Sequence, residues 1–315
     1  MTNIQVFQPS SEGLFPTAWT LISLAGPDSQ DFLHRLSTVD VKRLAVGHGA
    51  LGCFLTQQGK FRAHFRLWRM ASDECWFEFA SGRDHRWKTQ ILEWIDQFTF
   101  GEKMKVGDPT DGMSCLWFFP ESAERFADLR AGETAEVPDM GRLFYHGESY
   151  YGRPWFSLWG SPSVCAAWAA KYPLVSEREL EQWRIQQGSS KVDLEISDQS
   201  SPLEVGLRAS IADQKGCYPG QEVIEKVISL GSPARRLVRI EGTGALPQLG
   251  DSILNFAEPP MEIGFVTSLV QIGDTSSQFA GLGLVKKSYV KARDKIHFAS
   301  APGTEGVMIQ ITRHG

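Results

Sequence analysis

The segment of this chain best equipped for chemistry is Lys215-Gly216-Cys217-Tyr218-Pro219-Gly220-Gln221-Glu222. A thiol reacts as its thiolate, which a nearby cation or the start of a helix makes more available. Lys215 supplies the cation. The helix is expected because Val223, Ile224, Val227, Ile228 and Leu230 are spaced for one over Gln221 to Leu230, and Pro219 suits its first turn. Cys217 would then lie at or just before a helix N-terminus, where free backbone donors favour an anion. The flanking glycines let another backbone or a flat ligand come close. The local residues leave a second reading open, in which Cys217 is a small buried residue in a tight turn.

Two other groups carry chemistry. Trp183-Arg184-Ile185-Gln186-Gln187-Gly188 sets an aromatic ring, a cation and two amides before a glycine stop. A side-chain amide offers a donor and an acceptor together, which matches the edge of a pterin or purine. An amphipathic helix end with a glycine cap accounts for the same residues. Arg235-Arg236 can pair with a ligand carboxylate or stand as a solvated surface pair. Gly281-Leu282-Gly283 lacks the third glycine of a dinucleotide loop, and no phosphate loop or Gly-x-Ser-x-Gly turn occurs. His64, beside Phe65 on a strand, reads as packed.

These residues need elements to position them. Leu21, Ile22 and Leu24 read as a strand ended by Gly26-Pro27. Asp28 or Ser29 can cap a helix with Phe32, Leu33 and Leu36 on one face. Leu51 to Met70 reads as a hairpin turning at Gly59-Lys60. Strands follow at Cys75 to Ala80 and Cys115 to Phe119, and helices at Trp87 to Phe98, Glu121 to Leu129, Val164 to Lys171 and Glu177 to Gln187. The polar stretch from Gly188 to Pro202 reads as a loop and candidate lid. Beyond a boundary near Leu230-Gly231-Ser232-Pro233, short apolar segments separated by Gly, Pro and Asp predict an all-β barrel or sandwich. The irregular mixture of hairpins and helices predicts an α+β fold with antiparallel sheets.

Composition excludes several classes. A net charge of −5 without a basic run argues against direct nucleic-acid binding. The five cysteines are odd in number, scattered and free of any Cys-x-x-Cys pair, so a reducing cytoplasm is expected and no metal site is read. No apolar run reaches the roughly 20 residues of a membrane helix, and no signal peptide is read at the start.

The run at 215–222 is similar to the signature of the YgfZ family. The similarity extends to Leu24-Ala25-Gly26-Pro27-Asp28, Leu36-Ser37-Thr38-Val39-Asp40-Val41, Phe54-Leu55-Thr56, Pro202-Leu203-Glu204, Arg235-Arg236-Leu237 and Gly264-Phe265-Val266-Thr267-Ser268. The resemblance implies a three-part ring shared with the glycine-cleavage T-protein, with two interleaved α+β domains and a C-terminal β-barrel. The expected division is residues 1–48 with 112–230, residues 49–111, and residues 231–315. It also implies a role with iron–sulfur enzymes or their assembly proteins, including tRNA-modifying enzymes, and binding of tetrahydrofolate or a one-carbon derivative. Cys217 would be the functional thiol, with Lys215 beside it. Trp183, Arg184, Gln186, Glu204, Tyr218, Gln221, Glu222 and Arg236 would meet the folate. The alternative is an aminomethyltransferase that passes a one-carbon unit to tetrahydrofolate. Against it, Phe61-Arg62-Ala63-His64-Phe65 carries no carboxylate where the T-protein depends on one. Gln186 also replaces its pterin-binding glutamate, and Phe79 falls near its asparagine. An amide can still bond a ring edge but cannot balance a cationic transition state.

Overall fold

The computed structural model describes residues 4–9, 18–273, 277–290, 294–301 and 303–311. In chain order it begins with strands β1 (Ile4–Phe7) and β2 (Trp19–Ala25), helix α1 (Ser29–Leu36), and the hairpin β3 (Gly49–Leu55) and β4 (Phe61–Arg69). Next come β5 (Glu74–Ala80), α2 (Arg86–Gln97), β6 (Lys105–Gly107), β7 (Ser114–Pro120) and the short α3 (Ala123–Phe126). Strands β8 (Thr134–Val137), β9 (Gly141–Gly147) and β10 (Trp155–Gly160) lead to α4 (Pro162–Ala169), α5 (Glu177–Gln187) and α6 (Gln221–Ser229). The last elements are β11 (Arg235–Thr243), β12 (Ser252–Leu254), β13 (Glu262–Gln271), β14 (Gln278–Lys286), β15 (Lys295–Phe298) and β16 (Glu305–Gln310).

The chain forms two compact units. Unit 1 comprises Met1–Ser176 with Ala209–Gln221, and unit 2 comprises Glu177–Arg208 with Glu222–Gly315. Unit 1 holds two antiparallel five-stranded sheets, ordered β1-β7-β10-β9-β8 and β3-β4-β5-β2-β6. Alternate residues of a strand face opposite sides. On β4 and β5, Ala63, Phe65, Leu67, Cys75, Phe77 and Phe79 pack with Phe32, Leu33 and Leu36 of α1 and Ile91 and Ile95 of α2. On the other sheet, Leu116, Phe118, Leu143, Tyr145, Phe156 and Leu158 pack around Cys165 of α4.

On the opposite side of these strands a buried polar cluster joins the two sheets. Glu78 of β5 is fully buried. It accepts hydrogen bonds from Trp68 Nε1 at 3.0 Å and Trp159 Nε1 at 2.8 Å, and from the Ser157 hydroxyl. His146 Nε2 lies 2.9 Å from Ser157 Oγ and 3.4 Å from the Glu78 carboxylate. Its ring stacks on Trp155 at 3.8 Å and 12°. Burial opposes ionisation of Glu78, but His146, Ser157 and Trp159 outweigh it and hold the carboxyl below its ordinary range. Burial lowers His146 as well, against the pull of Glu78.

Unit 2 is a closed barrel, ordered β11-β14-β13-β12-β15-β16, with α5 packed on β13 and β14. Val238, Ile240, Ile253, Val266, Phe279, Val285 and Phe298 are among the residues of its core. The polar stretch from Gly188 to Pro202 reads in the sequence as a loop and candidate lid. Instead Ser189, Ser190, Val192, Glu195, Ile196 and Ser200 are buried, because the carboxylate of Glu195 is tied down inside the unit. It accepts from Thr267 Oγ1 at 2.6 Å, Ser268 Oγ at 2.5 Å and the Lys191 amide at 3.0 Å.

The α+β class, the antiparallel sheets and the terminal barrel match the expected architecture. Other details differ. The helix expected over Glu121 to Leu129 shrinks to α3, and β1, β6, β8, β9, β10 and β12 were not foreseen. The stretch 1–48 is shared, since β1 joins one sheet and β2 is the fourth strand of the other. Residues Glu177–Arg208 group with the barrel.

Replacing Glu78 with alanine strands His146, Ser157 and two indole donors in an apolar interior. An expected loss of about 3–5 kcal/mol in urea-unfolding stability follows. In the wild type both groups have folded values below their ordinary ones. Their contribution is therefore complete above pH 6.5, the ordinary imidazole value, and is lost as pH falls through the folded values. The urea midpoint measured from pH 8 to 4 should decline accordingly, and between pH 6.5 and 5 more steeply in Glu78→Ala, where His146 loses the carboxylate that raises its value.

Candidate functional site

The segment that carries Cys217 is laid against unit 1 by Thr38, which follows α1. The Thr38 amide donates to the Cys53 carbonyl at 3.1 Å, and its hydroxyl accepts from the Cys53 amide at 2.8 Å and donates to the Ser210 carbonyl. The Thr38 carbonyl accepts from the Ala212 amide at 3.0 Å. His64 Nε2 lies 3.2 Å from Ser210 Oγ, and burial pushes its pKa down to about 4. The imidazole is therefore neutral near pH 7. These contacts fix the chain just before the cysteine motif.

Lys215 is buried, and its ammonium donates to the carbonyl of His34 in the last turn of α1. A helix end leaves such carbonyls without intrahelical partners and carries partial negative charge, so Lys215 caps α1. Its nitrogen also stands 5.1 Å from the centroid of the buried Tyr218 ring. Burial pushes the Lys215 pKa down to about 8, against the raising influence of Asp40 and Cys217. His34 Nδ1 lies 3.5 Å from Asp40, and burial and Lys215 lower its pKa against that carboxylate. The imidazole adjoins Gly216, where a Cβ would meet its Nε2 at 3.7 Å.

Gly220 closes the segment in the left-handed region, at φ +82°, where a Cβ would fall 2.4 Å from the Thr56 carbonyl oxygen. Only glycine lets the motif approach the β3–β4 turn this closely. The positive φ also stops the helix from reaching back, so α6 starts at Gln221 and Pro219 lies outside its first turn. Cys217 is thus four positions ahead of the helix. The expected place of this thiol at a helix N-terminus is therefore not realised.

Cys217 is exposed, whereas Cys53, Cys75, Cys115 and Cys165 are buried. Burial raises the pKa of all four buried thiols. Among the described residues, no group of three or more His, Cys, Asp or Glu side chains is arranged to hold a metal ion.

The other expected contacts fall into separate groups. On α5, Trp183 is half-buried and Gln186 exposed, three residues apart and hence neighbours on the helix surface. Arg184 between them is not available to a ligand. Fully buried, it spends its N–H donors on Glu181 at 2.6 and 3.1 Å, the Ser189 carbonyl at 2.6 Å, Glu195 at 3.2 Å and Ser268 at 2.8 Å. A buried charge must be matched in this way. Glu204 and Arg236 meet at a cavity of about 390 Å³ within unit 2. The Glu204 carboxylate is held by the Ser201 amide at 3.1 Å and by Arg235 Nε at 3.0 Å. Gln221 is half-buried and Glu222 exposed in the first turn of α6. Thr38, Ser210, His34 and Asp40 were not singled out as site residues. Thr38 and Ser210 are 172 positions apart, which no local spacing reveals.

No protein-family model matches the chain. Over 287 residues, 85% of this chain, it is 26% identical to the tRNA-modifying protein YgfZ of Cronobacter sakazakii and to that of Klebsiella pneumoniae, covering 84% and 85% of those proteins. The chain resembles the YgfZ proteins. The crystal structure of glycine cleavage system aminomethyltransferase T from Bartonella henselae superposes with a TM-score of 0.81, at 16% identity, over 98% of this chain and 85% of that one. This YgfZ-like chain therefore has the aminomethyltransferase fold.

Iodoacetamide should label Cys217 in the native protein well before any other cysteine, and Cys217→Ser should leave almost no labelling until the protein is unfolded. The labelling rate of Lys215→Met should follow a different pH profile from wild type between pH 7 and 9, across the Lys215 value of about 8. Gly220→Ala should cost at least about 1–3 kcal/mol in backbone strain, read as a lower thermal midpoint together with an altered Cys217 labelling rate.

Proposed function

We propose that this chain is a tetrahydrofolate-binding accessory protein that helps make or maintain iron–sulfur enzymes, tRNA-modifying ones among them, through Cys217. The observation that carries the reading is the presentation of that thiol. It is exposed, stands beside a lysine with a lowered pKa, and lies on a segment anchored on both sides, while the other four thiols are buried. The similarity to proteins named tRNA-modifying supports the biological direction.

The folate part of the proposal is supported on α5. Trp183 and Gln186 set a flat ring beside an amide that offers both donor and acceptor, which suits the face and edge of a pterin. Tetrahydrofolate held there would supply a carrier for one-carbon units. The fold also suits the alternative, an aminomethyltransferase. In Phe61–Phe65, however, the polar side chains are an exposed Arg62 over the Trp94 ring and a neutral His64, neither of which stabilises a developing cation.

In cells lacking the wild-type protein, Cys217→Ala should fail to restore the activity of an iron–sulfur tRNA-thiolating enzyme while keeping its thermal midpoint. Normal tRNA thiolation in that strain would sink the proposal. By calorimetry, tetrahydrofolate should bind the wild type and bind Gln186→Ala more weakly. No turnover is expected with an aminomethylated carrier protein and tetrahydrofolate.

A further inference from the structure

The cavity in unit 2 is lined by the start of β11, the end of β16, α6 and the stretch after α5. Strand β11 pairs with β14 without a register shift from Arg235 to Thr243. Its alternation therefore places Arg236 on the same face as Val238 and Ile240, two residues of the barrel core. Arg236 is half-buried there and forms no ion pair with a described residue. Glu204, the one carboxylate among the described residues of the cavity wall, already faces Arg235 at 3.0 Å. Arg208 adds a second cation to the lining.

The rest of the wall is largely apolar, with Leu203, Val227 and Ile228 of α6, Leu237, Val290 and Ile311. A cavity of about 390 Å³ lies within the roughly 300–1,000 Å³ typical of small-ligand sites. An arginine fork set in apolar walls suits a planar carboxylate, since the two-pronged hydrogen bond gains strength where water is thin.

We infer that this cavity binds a small organic carboxylate with an apolar body, the carboxylate on Arg236 and the body against the α6 and barrel side chains. Trp183 and Gln186, on which the folate reading rests, do not line the cavity. The carboxylate site is thus proposed as distinct from the α5 surface on which the folate reading rests.

Decanoate is the probe. Titrated into the full-length protein in a calorimeter, it should bind saturably with one molecule per chain. Decanol, with the same body and no charge, should bind the wild type at least tenfold more weakly, a comparison that needs no variant to fold. Arg236→Gln should weaken decanoate at least tenfold, and Ile228→Trp should block it by filling the cavity. Gln186→Ala should leave decanoate unchanged, whatever it does to tetrahydrofolate. The inference is overturned if decanoate does not saturate, if decanol binds as well, if Arg236→Gln binds as wild type does, or if tetrahydrofolate competes with decanoate.

Discussion

A buried guanidinium governs unit 2. Arg184 has no access to water, so its charge and its N–H donors must be matched inside the protein. Glu181 comes from the preceding turn of α5, and Glu195 and Ser189 from the stretch that follows, while Ser268 comes from β13. Burial opposes ionisation of Glu181, yet Arg184 and Lys191 outweigh it and keep the carboxyl charged. Through Glu195 the same network reaches Thr267. The polar stretch after α5 is therefore a packed wall, and its continuation provides Leu203, Glu204 and Gly206 to the cavity.

Unit 1 solves a related problem with neutral donors. The carboxylate of Glu78 stands between two sheets and is bonded by indoles, a hydroxyl and an imidazole. Such a cluster contributes less net stability than its bonds suggest, because each group was desolvated to form it. It does impose a single register on the two sheets, since sliding either one would orphan several polar groups together. The hairpin that receives the cysteine motif is built on one of those sheets.

Much of this was legible in the residues. Helical spacing identified α1, α2 and α5, and the turn at Gly59-Lys60 identified the β3–β4 hairpin. The apolar segments of the tail marked five of the six barrel strands. Strands β9 and β10 escaped because both of their faces are buried. Phe144, His146, Ser157 and Trp159 face one side while Leu143, Tyr145, Phe156 and Leu158 face the other, so no alternation of polar and apolar residues remains. Arg184 misled for a different reason. A cation in a functional-looking motif reads the same whether it meets a ligand or two carboxylates, and Glu195 lies beyond the end of the helix that carries it. The cysteine motif itself was visible, but the partners that hold it are far away in sequence.

Lys215 is fastened to the end of one helix and Gly220 to a hairpin turn, with the thiol suspended between them. The motif therefore acts as a ruler. Its two ends are set by partners on a helix and a hairpin, so the number of residues between them matters as much as their identity. An insertion or deletion of a single residue there would keep every chemical group and still take the sulfur off its mark. A chain built this way can vary what surrounds its thiol, but not how far along the thiol sits.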